Sequence, residues 1–104
     1  MFAVNTTSLT RTTFDLSLDQ PAPPTEWPVE LAALWWLQSH NWQVAHNLID
    51  QAPGQQAARV HALLHRMEGD LPNARYWYAR AGVSLPELTI GQEIEQLLTD
   101  FLTD

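Results

Sequence analysis

The spacing of apolar positions changes character at Trp27. Before it, "TFDLSLD" alternates strictly, with Phe14, Leu16 and Leu18 opposite Asp15, Ser17 and Asp19. That period of two predicts a half-buried extended strand. "DQPAPPTE" follows at 19–26, and its prolines stop regular structure and stiffen the chain. Residues 1–26 therefore read as an extended N-terminal arm with a proline-rich linker. Its apolar side is expected on the helical body of its own chain or of a neighbour.

From Trp27 onward, residues 27–104 follow the helical period. Pro28 suits a first turn, and Leu31, Leu34, Trp35 and Gln38 keep the i, i+3, i+4, i+7 spacing. Asn41 is a good N-cap for a second helix with Ala45, Leu48, Ile49 and Ala52 inward. Pro53-Gly54 breaks the chain, and a third helix carries Val60, Leu63, Leu64 and Met67. Gly69 is placed to end it in a left-handed conformation. Asp70 then caps a fourth helix with Ala74, Trp77, Tyr78 and Ala81 inward, closed by Gly82. "SLPE" at 84–87 fits a capping box that would open a last helix built on Leu88, Ile94, Leu97, Leu98 and Phe101. Gly91 leaves the start of that helix open.

Two of these units superimpose in sequence. At an offset of 29 residues, Asn41 meets Asp70, Ala45 meets Ala74, Ile49 meets Tyr78 and Ala52 meets Ala81. The preceding helices agree too, with Leu31 opposite Val60, Leu34 opposite Leu63 and Trp35 opposite Leu64. Short connections make each helix pair antiparallel. The expected fold is therefore all-α: two tandem antiparallel hairpins, a C-terminal capping helix and the extended arm. "EGDLPNARYWYARAG" resembles the turn and second helix of the tetratricopeptide and Sel1-like repeats, with Gly69, Ala74, Tyr78 and Ala81 at matching positions. The resemblance covers residues 29–82. In the first unit His40 stands where the glycine belongs, and the period is shorter than the family's usual one. What the resemblance implies is a scaffold that holds a protein or peptide in a groove, without naming it.

Charge narrows the choice of partner. The net charge is −7 and all five positive side chains are arginines, which argues against binding nucleic acid or an anionic membrane. With no cysteine, disulfides, cysteine-ligated zinc and thiol nucleophiles drop out. The N-terminus lacks the pattern of a signal peptide, and no segment is apolar for long enough to span a bilayer, so a cytoplasmic protein is expected. Asn5-Thr6-Thr7 fits a glycosylation acceptor by chance.

Two sets of residues carry candidate chemistry. In "HALLHRMEGD", His61, His65 and Glu68 share a stripe beside the apolar face of the third helix. Two histidines at i, i+4 can hold one divalent metal, and His40 or His46 could join from the neighbouring hairpin. The zinc-protease motif is absent, because Ala62 follows His61, and the di-iron order Glu-x-x-His is reversed. Boundary histidines with ordinary hydrogen bonds are the plainer reading. The second set is aromatic: Trp36 and Tyr76 point away from the core face, with Arg75 beside Tyr76; packing under the arm or the last helix is the plainer reading, and an exposed anchor for a partner is the functional one. No Gly-x-Ser-x-Gly turn or glycine-rich phosphate loop occurs. The sequence thus favours a non-catalytic interaction module without cofactor, whose partner is a protein or peptide or a second copy of the chain. The alternative is a small metal-binding protein or metal-dependent enzyme built on the His-x-x-x-His pair.

Overall fold

The computed structural model describes residues 9–103. The Asn5-Thr6-Thr7 triplet lies outside the described residues. Among the described residues six helices follow one another: α1 Arg11–Ser17, α2 Val29–Gln38, α3 Trp42–Ile49, α4 Gln55–Met67, α5 Leu71–Arg80 and α6 Ile90–Phe101. The described residues form an all-α body of 50 × 24 × 24 Å, with one isolated bridge between Thr10 and Thr103 in place of any strand. None of its helices is long and apolar enough to cross a membrane.

The expected strand at 13–19 is instead helical. The side chain of Thr10 caps α1 by accepting a hydrogen bond from the Thr13 amide at 3.0 Å. Phe14 and Leu18 stand four residues apart, so a helix brings both to one face. Phe14 is fully buried and stacks on Trp27 with ring centroids 5.8 Å apart, and Leu18 packs against the same core. Leu16, which a strand would have turned the same way, is 68% exposed. The Trp35 indole N–H donates to the Ser17 hydroxyl at 3.0 Å and fixes the C-terminal end of α1. The start of the last helix also differs from expectation. Its capping box is Thr89 with Gln92: the Thr89 hydroxyl accepts from the Gln92 amide at 3.0 Å, and the Thr89 amide donates back at 2.9 Å. "SLPE" precedes it as irregular chain, and Gly91 falls in the first turn of α6.

Helix α2 packs on α3 and α4 packs on α5, while α4 also touches α2, α3 and α6. The turns within these two pairs repeat at the 29-residue offset. Asn41 N–H donates to the Trp36 carbonyl at 2.8 Å, and Asp70 N–H to the His65 carbonyl at 2.9 Å. His40 N–H donates to Leu37 and Gly69 N–H to Arg66, both at 3.0 Å. This doubled bond pattern is the Schellman ending of a helix, and it requires a left-handed residue. Gly69 supplies it with φ of 82°, and His40 does so with φ of 60°. The side chains of Asn41 and Asp70 then cap the following helices, accepting from Val44 N at 3.2 Å and Asn73 N at 3.3 Å. Ala45 and Ala74 are both fully buried, as are Ile49 and Tyr78 to within 1%.

Two apolar clusters fill the interior. The larger joins Phe14, Trp27, Leu31, Leu34, Trp35, Ile49, Val60, Leu63, Leu64 and Leu98, drawing on α1, α2, α3, α4 and α6. The smaller joins Ala62, Ala74 and Tyr78 between α4 and α5. Helix α6 is fastened to the α4–α5 pair by a polar knot. Glu93 is fully buried on α6 and accepts from Arg66 Nη1 at 2.7 Å and from the Tyr78 hydroxyl at 2.6 and 2.8 Å. Arg66 also donates to the Leu88 carbonyl. Burial opposes the charge on Arg66, but its bond to Glu93 wins and raises its pKa. Burial, reinforced by the same carboxylate, pushes the Tyr78 phenol up. A clasp joins the two ends of the described chain. Arg11 N–H donates to the Thr103 carbonyl and Thr103 N–H to the Leu9 carbonyl, both at 2.9 Å. The Arg11 guanidinium grips Glu95 with two bonds of 2.9 and 3.1 Å, which lowers the carboxyl's pKa.

Candidate functional site

The histidine stripe on α4 becomes a three-helix site. His61 and His65 are one turn apart on α4, and their rings stack at 4.9 Å. Helix α3 runs alongside, and the Trp42 indole N–H donates to the Leu64 carbonyl at 2.9 Å. That bond sets the register of α3 against α4. It places His46 edge-on to both other imidazoles, 5.1 Å from His61 and 5.4 Å from His65 between centroids. From the other side α5 lays Trp77 flat on His61 at 3.9 Å, and Trp42 stacks on His46 at 4.9 Å. Three imidazoles therefore sit between two indoles, with potential ligand atoms of His46, His61 and His65 all within 4.8 Å of one another.

Their environments differ. His61 and His65 are buried, at 3% and 7% exposure, while His46 is half-buried and marks the open side. Burial lowers the His61 pKa to about 4, with help from the neighbouring His65 and His46 and against a smaller pull from Asp50. At neutral pH His61 is therefore an uncharged imidazole with a free lone pair. His65 Nδ1 meets the Glu68 carboxylate at 2.6 Å, and the Asn73 amide lies 3.4 Å from Nε2. Glu68 itself is exposed, facing solvent beyond the ring it holds.

Of the residues marked by sequence, the structure keeps His61 and His65 together. It assigns Glu68 to the far nitrogen of His65, and a second cluster of His65, Glu68 and Asp70 forms there. The residue that completes the imidazole set is His46, which the sequence offered only as one neighbour among two. His40 is exposed at the α2–α3 turn. Its place on the helix was legible in the pattern, but the pairing that brings it to the site was not. His46 lies one turn after Trp42 on α3, and antiparallel pairing of α3 with α4 brings that turn opposite residues 61–65.

The aromatic set divides. Trp36 is half-buried, packed against the main core and edge-on to Trp35 at 5.0 Å. Tyr76 is 54% exposed on α5, and Arg75 beside it is exposed as well. Arg80, one turn on, lies 5.8 Å from the Tyr76 ring and 5.5 Å from the Trp77 ring, a cation over two aromatic faces. Next to this ledge a cavity of about 420 Å³ opens between the α3–α4 loop and α5, bordered by Asp50, Pro53, Gln55, Trp77 and Arg80. Compared with family models, curated proteins and solved structures, the chain finds no match in any of the three.

Proposed function

We propose that residues 29–82 form two tetratricopeptide-like hairpins and that the protein is a non-catalytic scaffold for a protein or peptide partner. The observation that carries this reading is the duplicated turn. The same helix ending, left-handed residue and Asx cap recur 29 residues apart, at His40-Asn41 and at Gly69-Asp70. Tandem units of this kind cannot bury their apolar faces alone, so they stack and present an extended surface. Helix α1 and α6 would serve as the caps. On that surface the ledge of Arg75, Tyr76 and Arg80 has the residue types that dominate binding hot spots, tyrosine and arginine, exposed together on one helix.

The test uses tagged full-length protein in host cells and a ledge variant, Arg75→Glu with Tyr76→Ser. These side chains are exposed, so the variant should keep the wild-type circular dichroism. The expected result is a partner, or a second copy detected by light scattering, that the wild type retains and the variant loses by tenfold or more. An unchanged set of associated proteins together with unchanged oligomeric mass would refute the reading.

A further inference from the structure

We propose that His46, His61 and His65 form a binding site for one divalent transition-metal ion of the zinc, copper and nickel class. This goes beyond the scaffold reading and does not depend on it. The argument begins with donors. Imidazole nitrogens are borderline ligands that suit these metals, whereas calcium and magnesium demand oxygen. Three such donors converge from two helices, and among the described residues no hydrogen bond engages the ring nitrogens of His46 or His61. Their lone pairs are unclaimed inside a largely apolar, aromatic enclosure.

Distance is the next condition. Ligand atoms on a tetrahedral metal at 2.0–2.1 Å are separated by about 3.3 Å. The three histidine donors lie within 4.8 Å of one another, so modest ring rotations close the site without moving a helix. The backbone is already fixed on three sides, by Trp42 bonded to α4, by the Asn41 cap of α3 and by the Asp70 cap of α5.

Orientation fits as well. Glu68 holds His65 through Nδ1, and among the described residues Nε2 meets only the Asn73 amide at 3.4 Å, a long contact that a metal would displace. A carboxylate on the distal nitrogen is the usual orienting partner of a metal-bound histidine. Asp50, one turn beyond His46 and close enough to act on His61, adds compensating negative charge. The half-buried His46 edge provides the way in.

The experiment titrates untagged full-length protein with Zn²⁺ by calorimetry, with Mg²⁺ as the control. The expected result is one saturable Zn²⁺ site and no response to Mg²⁺. His46→Gln should weaken binding by tenfold or more, although residue 46 lies on a different helix from the pair. Glu68→Gln should weaken it by about tenfold through His65, and His40→Asn should leave it unchanged. Cu²⁺ should quench the fluorescence of Trp42 and Trp77, which stack on two of the ligands. Because His61→Ala opens a hole beneath Trp77, the half-exposed His46 carries the decision. If His46→Gln binds Zn²⁺ as the wild type does, the three-histidine site is overturned and only an adventitious i, i+4 pair remains. Absence of saturable binding below 100-fold molar excess overturns it equally.

Discussion

The Glu93 knot offers the sharpest quantitative test of how this fold is held. A carboxylate with no solvent exposure survives because Arg66 and Tyr78 together supply its bonds. Removing Arg66 as Arg66→Met preserves the aliphatic bulk but strands the charge, a change that costs about 3–5 kcal/mol. Tyr78→Phe keeps the ring and deletes only the hydroxyl. That hydrogen bond goes to a charged group, so its loss should cost about 1.5–3 kcal/mol. A domain of this size has a total stability of about 5–15 kcal/mol, so the first variant approaches the edge of folding and the second is the better gauge. Urea unfolding followed by tryptophan fluorescence measures both. The decisive comparison repeats Tyr78→Phe in an Arg66→Met, Glu93→Leu background. With the carboxylate gone, the hydroxyl has no partner there and its deletion should be neutral or stabilising. If Tyr78→Phe costs as much in that background as in the wild type, the loss comes from packing and the knot has been misread.

Three further outcomes are expected. Because His61 is held neutral with a pKa of about 4 against an ordinary 6.5, the unfolded chain binds more protons between those values. Stability should therefore fall as pH drops from 6.5 to 4, by up to about 3 kcal/mol from this group, and then level off. Melting curves of the wild type and His61→Phe at pH 7, 5.5 and 4.5 check it, since parallel profiles would show that His61 is not the titrating group. Phe14→Ala should cost about 3–5 kcal/mol while Leu16→Ser stays within about 0.5, and similar losses at both positions would argue for a strand instead. At the paired turns, Gly69→Ala should cost about 1 kcal/mol, whereas His40→Gly should be neutral or stabilising by up to about 1; a lowered melting temperature for His40→Gly would contradict the equivalence of the two turns.

Much of this was legible because caps and breakers act locally. Asn41, Gly69 and Asp70 declare their roles within four residues, and the structure places each as expected. The inward sets of α2 and α4 held for the same reason, since a period of 3.6 over ten or more residues has one interpretation. The arm was misread because three apolar letters at alternate positions satisfy a strand pattern while two of them, Phe14 and Leu18, also satisfy a helix. Burial chose the helix, through the slot beside Trp27 that no local rule announces. Leu48 shows the opposite error: it keeps helical spacing yet is 36% exposed, because α3 is only eight residues long and covers little. His46 and Glu93 depended on tertiary pairing. Their partners lie 15 or more residues away, and sequence spacing alone carries no information about which helices become neighbours.

The clasp between the chain ends sets the order in which the protein can assemble. The helix pairs form from close neighbours in sequence; even the Trp42 bond to Leu64 spans only 22 residues. The clasp joins Leu9 to Thr103 across 94 residues and Arg11 to Glu95 across 84. Treated as flexible loops, closing 94 residues rather than 22 costs about 1 kcal/mol more in chain entropy. The central hairpins should therefore collapse first and the ends meet last. Near the native state the same seam should be first to part, freeing α1 and the slot around Phe14 while the four inner helices stay packed.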